Sequence, residues 1–246
     1  MANEATASAF KEHQFDAIYP PGVERHYWNV ARNAIIAEQL RKVEPGQILE
    51  VGCGKGLVVS YLRERGFDVA GVDLATIGVL PEVEEHVQTG VDLFDLDPSR
   101  FTNTKTVLLL DVIEHLEDPT AFVGRIRSFI PSVKNFIFTV PARQELFSNY
   151  DEFNRHYRRY DALTLRAHVD PNEARNWHVS YFFHLLYPAA WVQLRLKGAR
   201  ETWYNVPKTG LAKFLHNMLG YFFILDHKVF PAHWKGTSLI ATVTEK

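Results

Sequence analysis

A short apolar run, a turn crowded with glycines, a helix and a second apolar run ending in an acid follow one another from Gln47 to Asp73, QILEVGCGKGLVVSYLRERGFDVAGVD. This stretch commits the chain to a fold with a parallel sheet. Ile48, Leu49 and Val51, bounded by turn residues, read as a strand buried on both faces. Gly52, Gly54 and Gly56 remove side chains where strand gives way to helix, so backbone N–H groups approach a ligand closely. Leu57 to Arg65 carries Leu57, Val58, Tyr61 and Leu62 at helical spacing, Gly66 stops the helix, and Val69, Ala70 and Val72 form the next strand. Asp73 stands at that strand's carboxyl end, seventeen residues after Gly56, where a carboxylate accepts two hydrogen bonds from ribose hydroxyls.

Two nucleotide ligands suit such a unit. The dinucleotide fingerprint G-x-G-x-x-G would put its third glycine at Leu57. Here that glycine comes one residue early, and Glu50 precedes the turn as E-V-G-C-G-K-G. Further on, a continuously apolar fourth strand, Lys105 to Leu110, runs into D-V-I-E-H-L-E-D-P from Asp111, and a fifth, Phe136 to Val140, is followed by V-P-A and later by H-Y-R-R-Y. Together these phrases resemble the class I S-adenosylmethionine-dependent methyltransferases, over about residues 26–185. The resemblance implies an α/β, Rossmann-like fold: a mostly parallel seven-stranded sheet with helices on both faces and right-handed crossovers. It also implies S-adenosylmethionine as cofactor, held by Glu50, Gly52, Cys53 (through its backbone), Gly54, Gly56, Asp73 and Leu74. Asp92 and Leu93 match the family's adenine-contacting turn, and Asp111 would lie beside the methionine part.

Read in order, residues 1–43 form an N-terminal helical lid: residues 1–9 disordered, then helical segments from Phe10 to Val43 broken at Pro20-Pro21-Gly22. Residues 44–187 are the cofactor-binding core, with a third strand at His86 to Gly90, helices from Asp118 through Ile130 and from Asp161 through Ala167, and a sixth strand at Trp177 to Leu186. Residues 188–236 are a helical, aromatic insertion forming an acceptor cap, and residues 237–246 supply the last strand, Ser238 to Thr244. The loop PARQELFSNYDEFNRHYRRYD reads as neither strand nor amphipathic helix and follows a strand's carboxyl end, where open α/β sheets bind ligands.

An activated sulfonium methyl needs alignment with an acceptor lone pair and exclusion of water. A hydroxyl acceptor also gains from a base, for which His156 and His115 are the candidates. Tyr19, His26, Trp28 and Arg32 from the lid, and Tyr157, Arg158 and Tyr160 from the late loop, are the candidate acceptor-binding residues. Arg155, Arg158 and Arg159 would hold an anionic acceptor if His156 serves only as their brace. Relatives with E-x-x-E-H and a later histidine bind a divalent metal. Asp111 replaces the first Glu here, so no resident metal is expected.

Composition narrows the partners. Hydrophobic content of 46% and aromatic content of 13% supply a sizeable core, and no apolar run reaches the ~18 residues of a spanning helix. MANEATASAF lacks the basic and apolar regions of a signal peptide, and a single cysteine fits a reducing compartment, so a cytoplasmic location is expected. Net charge is −2, yet Leu186 to Lys246 holds eight Lys/Arg against three Asp/Glu. Trp191, Trp203, Tyr204 and the run Tyr221 to Phe223 share that quarter. These features point to a small-molecule, glycan or lipid-linked acceptor and to peripheral membrane contact, with nucleic acid disfavoured. They set no oligomeric state. O-methylation is the leading activity. A metal-dependent O-methyltransferase acting on a quinol precursor or RNA end, a nicotinamide-dependent oxidoreductase and a non-catalytic cofactor-binding partner are the alternatives.

Overall fold

Seven strands form one sheet in the order β3-β2-β1-β4-β5-β7-β6. The computed structural model describes residues 19–172, 174–202 and 205–246. The expected disordered start, the helix from Phe10 and the side chains of Trp203 and Tyr204 lie outside those residues. The strands are β1 (Gln47–Val51), β2 (Val69–Asp73), β3 (Val87–Thr89), β4 (Thr104–Leu110), β5 (Asn135–Pro141), β6 (Asn176–Phe182) and β7 (Ser238–Thr244). All pairings are parallel except those of β7, which runs antiparallel between β5 and β6.

The alternation of side chains along each strand divides the core into two layers. Val107 and Leu109 of β4, with Phe136 and Phe138 of β5, pack on one face, while Leu108, Leu110 and Ile137 pack on the other. The first face is covered by α3 (Pro119–Phe129) and α5 (Ala162–Val169), through Val123, Ile126, Leu165 and Val169. The second is covered by α1 (Tyr27–Leu40) and α2 (Leu57–Arg63), through Ile35, Ile36, Val59 and Leu62. Buried on both sides, the central strands are continuously apolar, as parallel strands must be. Carboxylates fix the helix starts: Asp118 accepts from Ala121 N–H at 2.9 Å and Asp161 from Thr164 N–H at 2.8 Å.

The late loop is more ordered than its sequence suggests. It contains a 3-10 turn, Gln144–Leu146, and the one-turn helix α4 (Asn149–Phe153), begun by a reciprocal Ser148–Asp151 capping box. The sixth strand ends at Phe182, four residues short of expectation, because Phe183 adopts φ +60° and turns the chain away. The N–H groups of His184 and Leu185 then donate to the Asp226 carboxylate, and α6 (Leu186–Lys197) starts at once. The insertion holds α6 and the long α7 (Gly210–Val229), which packs along α1. It leaves β6 and rejoins β7 at one point, since Phe182 pairs with Ser238. Gly236 closes that neck: a Cβ there would lie 2.3 Å from the Phe182 carbonyl oxygen.

Candidate active site

A cavity of about 980 Å³ opens at the carboxyl ends of β1, β2, β4 and β5, with α1 and α6 on its other sides. One end is built from the glycine turn. Gly52, Gly54 and Gly56 have φ values of +79°, +56° and +84°, a region that L side chains rarely adopt. A Cβ on Gly54 would come 2.4 Å from the Tyr19 hydroxyl oxygen, and one on Gly52 would come 2.7 Å from a Val112 methyl. Gly56 serves packing instead: its Cβ would strike Val83 and Val87, and it lies outside the cavity lining. Asp73 is oriented by backbone, its Oδ2 accepting from Gly54 N–H at 2.7 Å and its Oδ1 from Ala75 N–H at 2.8 Å. Burial raises its pKa, and those two N–H donors oppose the rise. Leu74, Asp92 and Leu93 complete this end, with Asp92 Oδ1 accepting from Phe94 N–H at 3.0 Å. Cys53 is buried, and burial pushes its thiol pKa well up.

Two acidic groups and one arginine make the floor. Asp111, at φ +56°, accepts from Arg32 Nη2 at 2.5 Å, and Arg32 also donates to Thr139 Oγ1 at 3.2 Å. The Trp28 ring lies 5.0 Å from that guanidinium. Glu50 is buried on β1, and burial raises its pKa to about 8, Arg32 opposing and Asp73 and Asp111 adding. Its Oε2 has no hydrogen-bond partner among the described residues. A buried, orphaned acceptor in the cavity lining beside the glycine turn fits a bound ligand with donor groups. The Tyr19 hydroxyl is held in protonated form by burial and by the Asp73 and Glu50 carboxylates.

The other end brings the two candidate bases together. His115 and His156 rings lie 4.6 Å apart, edge to face. His156 Nδ1 is 2.8 Å from Asp151 Oδ1. Asp151 is fully buried, and it also accepts from Arg159 Nε at 2.9 Å and from Ser148 N–H at 3.0 Å. Burial drives the His115 pKa down to about 3, aided by His156, so His115 is neutral. Glu114 is wholly buried with neither carboxylate oxygen paired among the described residues, and burial and Asp111 raise its pKa well above the usual range. Ligand atoms of Glu114, His115 and His156 all lie within 4.8 Å of one another.

Most residues singled out in the sequence therefore converge: Tyr19, His26, Trp28, Arg32 and Tyr157 line the cavity with both histidines. Two acceptor candidates do not. Tyr160 is fully buried in the core, donating to the Ile113 carbonyl at 3.3 Å, and Arg158 turns outward to the Glu117 carbonyl at 3.0 Å. Arg159 is likewise occupied by Asp151. His26 lines the cavity but caps α1, its Nδ1 accepting from Trp28 N–H at 3.3 Å, with burial and then His216 lowering its pKa to about 4. Glu114 entered the sequence reading only through the D-x-x-E-H metal-site alternative, and Asp151 carried no role there. The spacing Ser148-x-x-Asp151, a capping box, was the one local signal for Asp151.

Residues 25–179 match the family model described as methyltransferase domain. The chain belongs to that family. Among curated relatives, the ubiquinone biosynthesis O-methyltransferase of Alkalilimnicola ehrlichii is 30% identical over 124 residues, 46% of this chain and 49% of the relative. That of Acinetobacter baumannii is 23% identical over 202 residues, 65% of this chain and 85% of the relative. The chain thus spans about half the length of some of the curated relatives it matches. Two solved structures share the fold. Haemonchus contortus phosphoethanolamine N-methyltransferase 2 with S-adenosyl-L-methionine has a TM-score of 0.55 at 15% identity, covering 98% of this chain and 58% of its own. The methyltransferase domain of bacterial CtHen1 has a TM-score of 0.53 at 14% identity, covering 88% of this chain and 98% of its own. The cofactor of this methyltransferase domain is S-adenosylmethionine, and the cradle fits it: Asp73 suits the ribose hydroxyls, and Glu50 and Asp111 suit the ammonium group.

Proposed function

We propose that this protein transfers a methyl group to a hydroxyl of a hydrophobic aromatic acceptor, with His156 as the general base. The observation that carries this is the 2.8 Å contact between His156 Nδ1 and the fully buried Asp151 carboxylate. A carboxylate on Nδ1 selects the tautomer with Nε2 as acceptor, and it stabilises the imidazolium formed when Nε2 takes the hydroxyl proton. S-adenosylmethionine supplies the activated methyl. The chain's own residues orient the acceptor, exclude water and remove the proton. The names of the curated relatives, O-methyltransferases of ubiquinone biosynthesis, favour a phenolic hydroxyl. The acceptor side is lined by Trp28, Tyr150, Leu186 and Ala189, in keeping with an apolar ring or lipid tail.

Turnover with catechol-type acceptors and with amine analogues of the same shape tests the reading. The expected product is a methyl ether, identified by mass spectrometry together with S-adenosylhomocysteine. Methylation of the amine alone would overturn it.

The convergence of Glu114, His115 and His156 supports a second reading, in which those three hold a divalent cation that acidifies the acceptor hydroxyl. The unpaired, buried Glu114 carboxylate favours it. A chelator separates the two: turnover that survives exhaustive EDTA treatment leaves His156 as base, while loss restored by a divalent cation makes it a ligand.

A further inference from the structure

We infer that α7 docks this protein on an anionic lipid bilayer, lying flat in the headgroup layer. Leu211, Phe214, Met218, Tyr221, Leu225 and Val229 recur at three- and four-residue spacing along the helix, and all are exposed, Leu211 by 70% and Val229 by 67%. Leu215 and Phe222 widen the same stripe. At ~1.5 Å per residue the helix presents about 30 Å of continuous apolar surface. Isolated exposed apolar residues are ordinary, but a stripe of this length is not.

The helix cannot turn to bury it. Its opposite face is committed: Gly220 sits against Val30, where a Cβ would come 2.6 Å from a Val30 methyl. Phe223 is buried with its ring 5.5 Å from Tyr27 and 5.2 Å from Phe183. Asp226 is tied to the N–H groups of His184 and Leu185. Nor does the helix cross a bilayer, since no helix among the described residues is long and apolar enough to do so.

Charge selects the occupant. Lys208 precedes the helix and Lys213 and Lys228 lie along it, Lys228 reaching Glu38 of α1 at 3.6 Å, while the helix's only acid, Asp226, is buried. Arg195 and Lys197 end α6, which also exposes Trp191, Val192 and Leu196. An apolar face with basic flanks suits an interfacial helix on acidic lipid. Two copies pairing through α7 would bring Lys208 and Lys213 of each together, with no exposed acid on the helix to offset them. The docking face is joined to the active-site cavity: α7 packs on α1, whose Trp28 and Arg32 line that cavity, and α6 lines it with Ala189 and Gln193.

Flotation of the full chain with vesicles tests this independently of the reading of His156. The protein should float with phosphatidylglycerol-containing vesicles and far less with phosphatidylcholine alone. A Phe214→Glu, Tyr221→Glu, Leu225→Glu variant should lose binding by ~10-fold or more. Its circular dichroism melt and its S-adenosylmethionine affinity should match wild type, showing that it folds. Wild-type protein that stays in the soluble fraction with both vesicle types overturns the inference. So does a dimer, by light scattering, that the triple variant splits while vesicle binding is absent, because the stripe is then the seat of a second copy.

Discussion

The two ends of the cavity are made in different ways. The cofactor end is mostly backbone: Gly52 and Gly54 at positive φ and an aspartate held by the N–H groups of Gly54 and Ala75, all between Gly52 and Ala75. The proposed acceptor end is side chains brought from afar. Glu114 and His115 follow β4, Asp151 and His156 come from the loop after β5, and Ala189 and Gln193 come from α6. A backbone cradle tolerates little change, because its shape is the path of the chain itself. A site of side chains from separate segments changes one residue at a time. One end is thus suited to a fixed ligand and the other to a replaceable one.

That contrast predicts where mutations act. The largest effect belongs to the acceptor end's foundation. Asp151→Ala leaves Arg159 buried without its counter-charge, and thermal or urea unfolding should show a loss of about 3–5 kcal/mol. Wild-type stability in that variant would mean the loop does not depend on the pair. Next, His156→Ala should lower kcat by at least ~100-fold at neutral pH while calorimetry finds S-adenosylmethionine affinity unchanged. Near-normal kcat at saturating acceptor would reassign the proton to another group.

Asp73→Ala should do the reverse, weakening S-adenosylmethionine by at least ~10-fold, since two ribose donors lose a charged acceptor. Equal affinity would remove Asp73 from the cradle. The last test is a pH slope. Glu50 has a folded pKa of about 8, against an ordinary value near ~4.3. A raised carboxyl contributes stability that is full below the unfolded value and lost as pH rises through the folded one. The melting temperature of cofactor-free protein should therefore fall between about pH 5 and pH 9, and Glu50→Gln should flatten the fall. An unchanged slope in that variant would place the titration elsewhere.

How much of this was legible in the sequence follows the same division. The strands, the glycine turn, Asp73 and the capped helices were readable because their causes are local: apolar runs, glycines and acids a few residues apart. The last strand, Ser238 to Thr244, was placed correctly because its run of apolar residues is bounded on both sides. The sixth was drawn too long. Nothing in YFFHLLYP announces that Phe183 turns at positive φ, since the cause is the carboxylate of Asp226, more than forty residues away. Tyr160 and Arg158 were read as acceptor contacts because they adjoin His156 in sequence. The chain turns at Arg155 and bends at Tyr157, so His156 and Arg159 both reach Asp151 while Tyr160 enters the core. The insertion was readable as aromatic and basic, but which face of α7 stays outside was decided by Gly220 and Val30.

The narrow neck at Phe182, Ser238 and Gly236 has a consequence for descent. Everything between residues 183 and 237 leaves the sheet and returns to the adjacent strand, so its ends are held at the ~4.8 Å spacing of paired strands whatever lies between. The entropy of closing such an excursion grows only with the logarithm of its length. A lineage can therefore lengthen, shorten or exchange this cassette without shifting a single strand register, provided that a small residue is kept at Gly236 and that α1 is given a new cover. If the proposed docking of α7 holds, the surface on which the acceptor is met becomes an inheritable module separable from the chemistry beneath it.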